Sequence, residues 1–104
     1  MRDPTIYFKR DGTPADVDYF ERSFEENDRV VTQTKLPWGG LVSTVFLCLD
    51  HSFGGGRPLI FETMVFSKKS CSELDMDRYA TEEEARAGHE AMVRKWKRRK
   101  PKKL

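Results

Sequence analysis

The nine residues LVSTVFLCL, 41–49, decide the fold. Only Ser43 and Thr44 interrupt an otherwise apolar run, and its β-branched and aromatic side chains favour extended backbone. Apolar residues at both odd and even positions predict a strand covered on both faces, in the middle of a sheet. PLIFETMVF (58–66) has the same character, with Pro58 tolerated at the first position of a strand. On the other side, RVVTQTKL (29–36) alternates and is followed by the turn PWGG (37–40). Connections this short between three successive strands permit hairpins only, hence antiparallel pairing. TIYFKR (5–10), with Ile6 and Phe8 on one side, predicts a further short strand.

Two helices frame this sheet. Thr13 is placed as an N-cap before Pro14, and Val17, Phe20 and Phe24 fall on one helical face, predicting a helix over 14–26. Thr81 and Glu84 form a capping-box pattern opening a helix over 81–98. Ala85, His89, Met92, Val93 and Trp96 make its apolar stripe, with Gly88 beside it. The polar stretch KKSCSELDMDR (68–78) reads as a connector. The expected class is α+β: a four-stranded, mainly antiparallel sheet with two helices packed on one face, in the order β-α-β-β-β-α. One domain, 1–96, and a basic tail, 97–104, are expected.

The net charge of +2 conceals an asymmetry. Residues 94–103 carry eight cations and no acid, leaving eleven cations among residues 1–93 against all 17 acids. An acidic body with a basic end suits partners of opposite potential. No apolar run reaches the length of a membrane span, and MRDPTIYFKR lacks an apolar leader segment, so a cytoplasmic protein without membrane contact is expected. Cys48 and Cys71 have no second pair to make a zinc framework. Cys48 reads as a buried hydrophobe and Cys71 as a more exposed thiol.

The loop between the two central strands holds the least ordinary residues: Asp50, His51, Phe53, Gly54, Gly55, Gly56 and Arg57. Its glycines lead into a strand and lack a following Gly-Lys-Ser/Thr, which excludes a Walker loop and a dinucleotide fingerprint. A hairpin loop with Phe53 folded onto the core edge competes with a binding loop that presents Asp50, His51 and Arg57 to a partner or a small anion. Glu62 lies in an apolar strand and is expected to be solvated or ion-paired. A catalytic use would need His51 or His89 as its second group. No metal-ligand or nucleophile–base spacing occurs, so neither cofactor nor metal is expected and an enzyme is the least supported class. At the basic end, Lys95, Lys97, Arg98, Arg99 and Lys100 suit phosphate backbones, and Trp96 could stack on a base.

LVSTVFLCLDHSFGGGRPLIFETMVF (41–66) and RYATEEEARAGHEAMVRKW (78–96) resemble a family of small bacteriophage- and prophage-encoded proteins. The resemblance spans roughly residues 4 to 96 and brings no established activity with it. It implies a glycine where Cys48 stands, and it leaves the RRKPKKL end as an extension. It also implies an infected or lysogenic bacterial cell as the setting, and an accessory protein that binds. The expected partner is a host protein, in particular a defence protein that this chain inhibits. Sequestration of a small anion, nucleic-acid binding through the tail, and a small enzyme using His51 and Glu62 are the alternatives. Oligomeric state is not legible.

Overall fold

The computed structural model describes residues 6–26, 28–52, 56–68 and 72–99. In chain order the elements are β1 (Tyr7–Phe8), β2 (Pro14–Ala15), α1 (Val17–Glu25), β3 (Val30–Lys35), β4 (Leu41–Phe46), β5 (Phe61–Phe66), β6 (Glu73–Tyr79) and α2 (Glu82–Trp96). Strands β3 to β6 form an antiparallel sheet in sequence order, and β1 pairs with β2 in a separate two-stranded ribbon. The class is α+β, with the two central strands where the apolar runs predict them.

The register of the central pair sets the core. Val42, Thr44 and Phe46 stand opposite Val65, Thr63 and Phe61, and all six are buried. They form the layer on which α2 lies. At one end Phe46, Cys48, Ile60 and Phe61 pack with Ala85, and Tyr19 and Phe20 of α1 join this cluster. At the other end Leu36, Val42 and Val65 pack with Met92, Leu74, Trp38 and Trp96. Each large side chain removed from water here contributes roughly 1.5–3 kcal/mol. Helix α2 starts where the capping box predicts: Thr81 Oγ1 accepts from the Glu84 amide, and Glu84 Oε1 accepts from the Thr81 amide.

Three local expectations change. Residues 5–10 do not supply the fourth strand of the main sheet; Tyr7 and Phe8 pair with Ala15 and Pro14 instead. Thr13 caps no helix, because its amide and hydroxyl both donate to Asp11 Oδ1. The N-cap of α1 is Asp16, which accepts from the Tyr19 amide. The fourth strand is β6, inside the stretch that reads as a connector. Its ladder with β5 shifts between Val65 and Phe66, so both Leu74 and Asp75 turn toward α2. That bulge breaks the alternation by which a strand is recognised.

Candidate functional site

The loop after β4 is closed by Asp50. Asp50 Oδ1 accepts from the amides of Ser52 and Leu59, and Oδ2 accepts from the Ser52 hydroxyl. Burial pushes this carboxyl up, but the hydrogen bonds from Leu59 and Ser52 outweigh it and hold the pKa below the ordinary value. His51 Nδ1 lies 2.8 Å from the Leu49 carbonyl oxygen, and its amide donates to Leu59. Arg57 makes two bonds to the Glu84 carboxylate on the first turn of α2, which lowers the Glu84 pKa chiefly through those bonds. Gly56 takes a positive φ of 68°. Phe53, Gly54 and Gly55 lie outside the described residues. Asp50, His51 and Arg57 therefore share one end of the hairpin, where Asp50 works as a staple and Arg57 as a strut to α2.

Glu62 belongs to a different surface. It pairs with Arg78 across β5 and β6 at 3.0 Å, on the side of the sheet away from α2, since its neighbour Thr63 faces the helix layer. His89 sits in that helix layer, so Glu62 and His89 are separated by the sheet.

His89 is fully buried, and both ring nitrogens are used. Nε2 lies 2.8 Å from the Thr34 hydroxyl and Nδ1 lies 2.7 Å from the Thr44 hydroxyl. Thr44 bonds Thr63 in turn. A polar chain thus crosses β3, β4 and β5 beneath α2. Desolvation lowers the His89 pKa, keeping the imidazole neutral with one nitrogen donating and the other accepting. The sequence places this histidine on the apolar stripe of α2, where the structure gives it two polar partners. The threonines at 34, 44 and 63 carry the signal that was missed: polar residues at helix-facing positions of three adjacent strands.

At the sheet end that holds Phe46, α1 and the residues flanking it carry an acidic surface. Asp16, Asp18, Glu21, Glu25, Glu26 and Asp28 are all exposed. No residue of α1 is buried. Its apolar stripe is only half used. Phe20 packs on Tyr7 and edge-on against Phe24, while Val17 and Phe24 remain 46% and 53% exposed. The Arg29 guanidinium lies 4.0 Å from the Phe24 ring centre, covering one face of it.

The opposite end is basic, but part of it is occupied. Trp96 Nε1 donates to Asp75 Oδ2, and Lys95 donates to the same oxygen. The Trp96 carbonyl accepts from Trp38 Nε1. Trp96 is thereby held against the sheet and not presented for base stacking. Lys97, Arg98 and Arg99 are exposed, and Lys100 lies outside the described residues. Among the described residues, no three His, Cys, Asp or Glu side chains gather as a metal site would require, and no helix is long and apolar enough to cross a membrane. No family model, no curated protein and no solved structure matches the chain.

Proposed function

We propose that this chain is a small accessory protein of the bacteriophage type that acts by binding a host protein without catalysis, with α1 as its binding surface. The observation that carries this reading is the unfinished burial of α1. An amphipathic helix normally hides its apolar stripe, yet here Val17 and Phe24 stay half in water on a helix that also exposes Asp18, Glu21 and Glu25, with Arg29 on one face of Phe24. An aromatic anchor inside a charged rim is the usual anatomy of a protein-binding spot. The acidic rim fits a basic surface, such as the nucleic-acid groove of a defence protein, since opposite potentials steer association. Capture of a small anion at the glycine loop is less well supported, because Arg57, the loop's cation, is already bound to Glu84.

The test is affinity capture from host lysate with and without nuclease, comparing the parent protein with Phe24→Ala, Glu21→Lys/Glu25→Lys and Arg98→Ala/Arg99→Ala variants. Capture of a basic protein that survives nuclease, is lost in the two α1 variants and is kept in the tail variant supports the proposal. Capture that disappears with nuclease or with the tail substitutions overturns it in favour of nucleic-acid binding.

A further inference from the structure

The sheet face away from α2 is uncovered by any described element, and its side chains can be read off the register. Three rows cross the four strands: Lys35, Leu41, Phe66, Glu73; then Gln33, Ser43, Met64, Met76; then Val30, Val45, Glu62, Arg78. Half of the twelve are apolar, and Val30 and Met76 are 49% and 42% exposed. An antiparallel sheet can leave one face to water when that face is polar; this one is not. The Glu62–Arg78 pair neutralises itself within the face. Lys35 and Glu73 do not: both are exposed, and neither has an ion-pair partner among the described residues.

These two ions occupy opposite edges of the same row. We infer that the open face pairs with a second copy of this chain about a two-fold axis parallel to the strands. Such an axis exchanges the two edges of the sheet and keeps each row in place. Lys35 of one copy then meets Glu73 of the other, and the contact occurs twice, as an isologous interface requires. The same operation lays Leu41 on Phe66 and Ser43 on Met64, setting small beside large. A twofold axis across the strands would instead place Lys35 over Val30, leaving the lysine unpaired. A position on a sheet face takes up roughly 30 Å², so the twelve cover roughly 400 Å² of plane. With side-chain relief they bury on the order of 1,000 Å² over both copies, the lower bound for a specific interface. Face-to-face packing of two twisted sheets needs no change within either. This surface is distinct from α1, so the dimer and the proposed partner site are independent.

Sedimentation equilibrium of the full chain, with matched Lys35→Glu, Glu73→Lys and double-reversal variants, tests the inference. The parent should dimerise with Kd on the order of 1–100 µM. Each single reversal should weaken dimerisation roughly tenfold or more, since it puts like charges together twice, and the double reversal should return Kd to within about threefold of the parent. Both residues are exposed strand positions, and circular dichroism should show every variant folded. A parent that stays monomeric up to about 1 mM, a dimer indifferent to the single reversals, or single losses that the double reversal does not restore would each overturn the assignment.

Discussion

Gly88 exists as glycine because Tyr79 lies against it: a Cβ at position 88 would stand 2.2 Å from the Tyr79 Cζ atom. The missing side chain leaves room for the tyrosine ring and its hydroxyl to lie directly against α2. Gly88→Ala should therefore destabilise the protein by about 1–3 kcal/mol, although alanine in a helix is worth about 1 kcal/mol more than glycine. Chemical denaturation gives the number; a stability gain would contradict the close approach.

His89 leads to a pH prediction. Its folded pKa lies below the ordinary 6.5, because burial disfavours the imidazolium. As pH falls, the unfolded chain takes up the proton before the folded one does. The stabilisation is thus complete above about pH 6.5 and is lost progressively below it. Denaturation midpoints measured between pH 8 and 5 should fall on the acid side. His89→Leu should cost about 2–4 kcal/mol by removing the imidazole partner of the Thr34 and Thr44 hydroxyls, of which Thr44 keeps its bond to Thr63, and should flatten the slope over that interval.

Asp75 ties the end of α2 to the sheet. Bonds from Lys95 and then Trp96 depress its pKa, so its contribution is present above the ordinary carboxyl value near 3.8 and lost as pH falls through the lower folded value. Asp75→Ala should cost about 1–3 kcal/mol, because Trp96 Nε1 loses its acceptor. Tryptophan fluorescence should report the released indole. An unchanged emission maximum together with unchanged stability would show that the tie is idle.

Asp50 should behave as a staple. An exposed loop acid of the ordinary kind changes stability by less than about 0.5 kcal/mol when replaced. Asp50→Ala removes acceptors from two amides and a hydroxyl, and a loss of about 1–3 kcal/mol is expected. Asp50→Asn, which keeps one carbonyl oxygen, should lose less than Asp50→Ala.

Cys48 sits in the left-handed region at φ 67° while fully buried. Alanine there keeps the strain and loses the sulfur contacts; glycine loses the contacts but relieves the strain, worth about 1–2 kcal/mol. Cys48→Gly should then be more stable than Cys48→Ala, the reverse of the usual order. Thermal denaturation of the two variants side by side checks it.

The sequence makes β4 and β5 legible because their apolar residues fall on both faces, and α2 because its capping box and stripe agree. The fourth strand is hidden by two features that act together: an edge position that tolerates Glu73, Asp75 and Asp77, and a bulge that shifts the alternation midway. Residues 5–15 misread for a local reason, since Asp11 draws Thr13 into a turn before Asp16 can begin the helix. At the loop, Asp50, His51 and Arg57 stand out by residue type, but their roles depend on Leu59 and Glu84, which no spacing connects to them. The left-handed backbone at Cys48 has no counterpart in spacing, which says nothing of it.

The bulge and the charges of β6 also bear on how the chain survives crowding. LVSTVF and FETMVF, the strands β4 and β5, are short, rich in β-branched and aromatic residues, and free of proline, the composition from which cross-β fibrils nucleate. In the folded protein each is shielded by an outer strand unsuited to templating. β6 carries three carboxylates and an arginine in seven residues, and β3 is bulged between Val30 and Thr32. Both are recognised devices for refusing a further strand. The outer strands thus act as gatekeepers, and fibril formation should begin where β3 or β6 peels away before the centre of the sheet has melted.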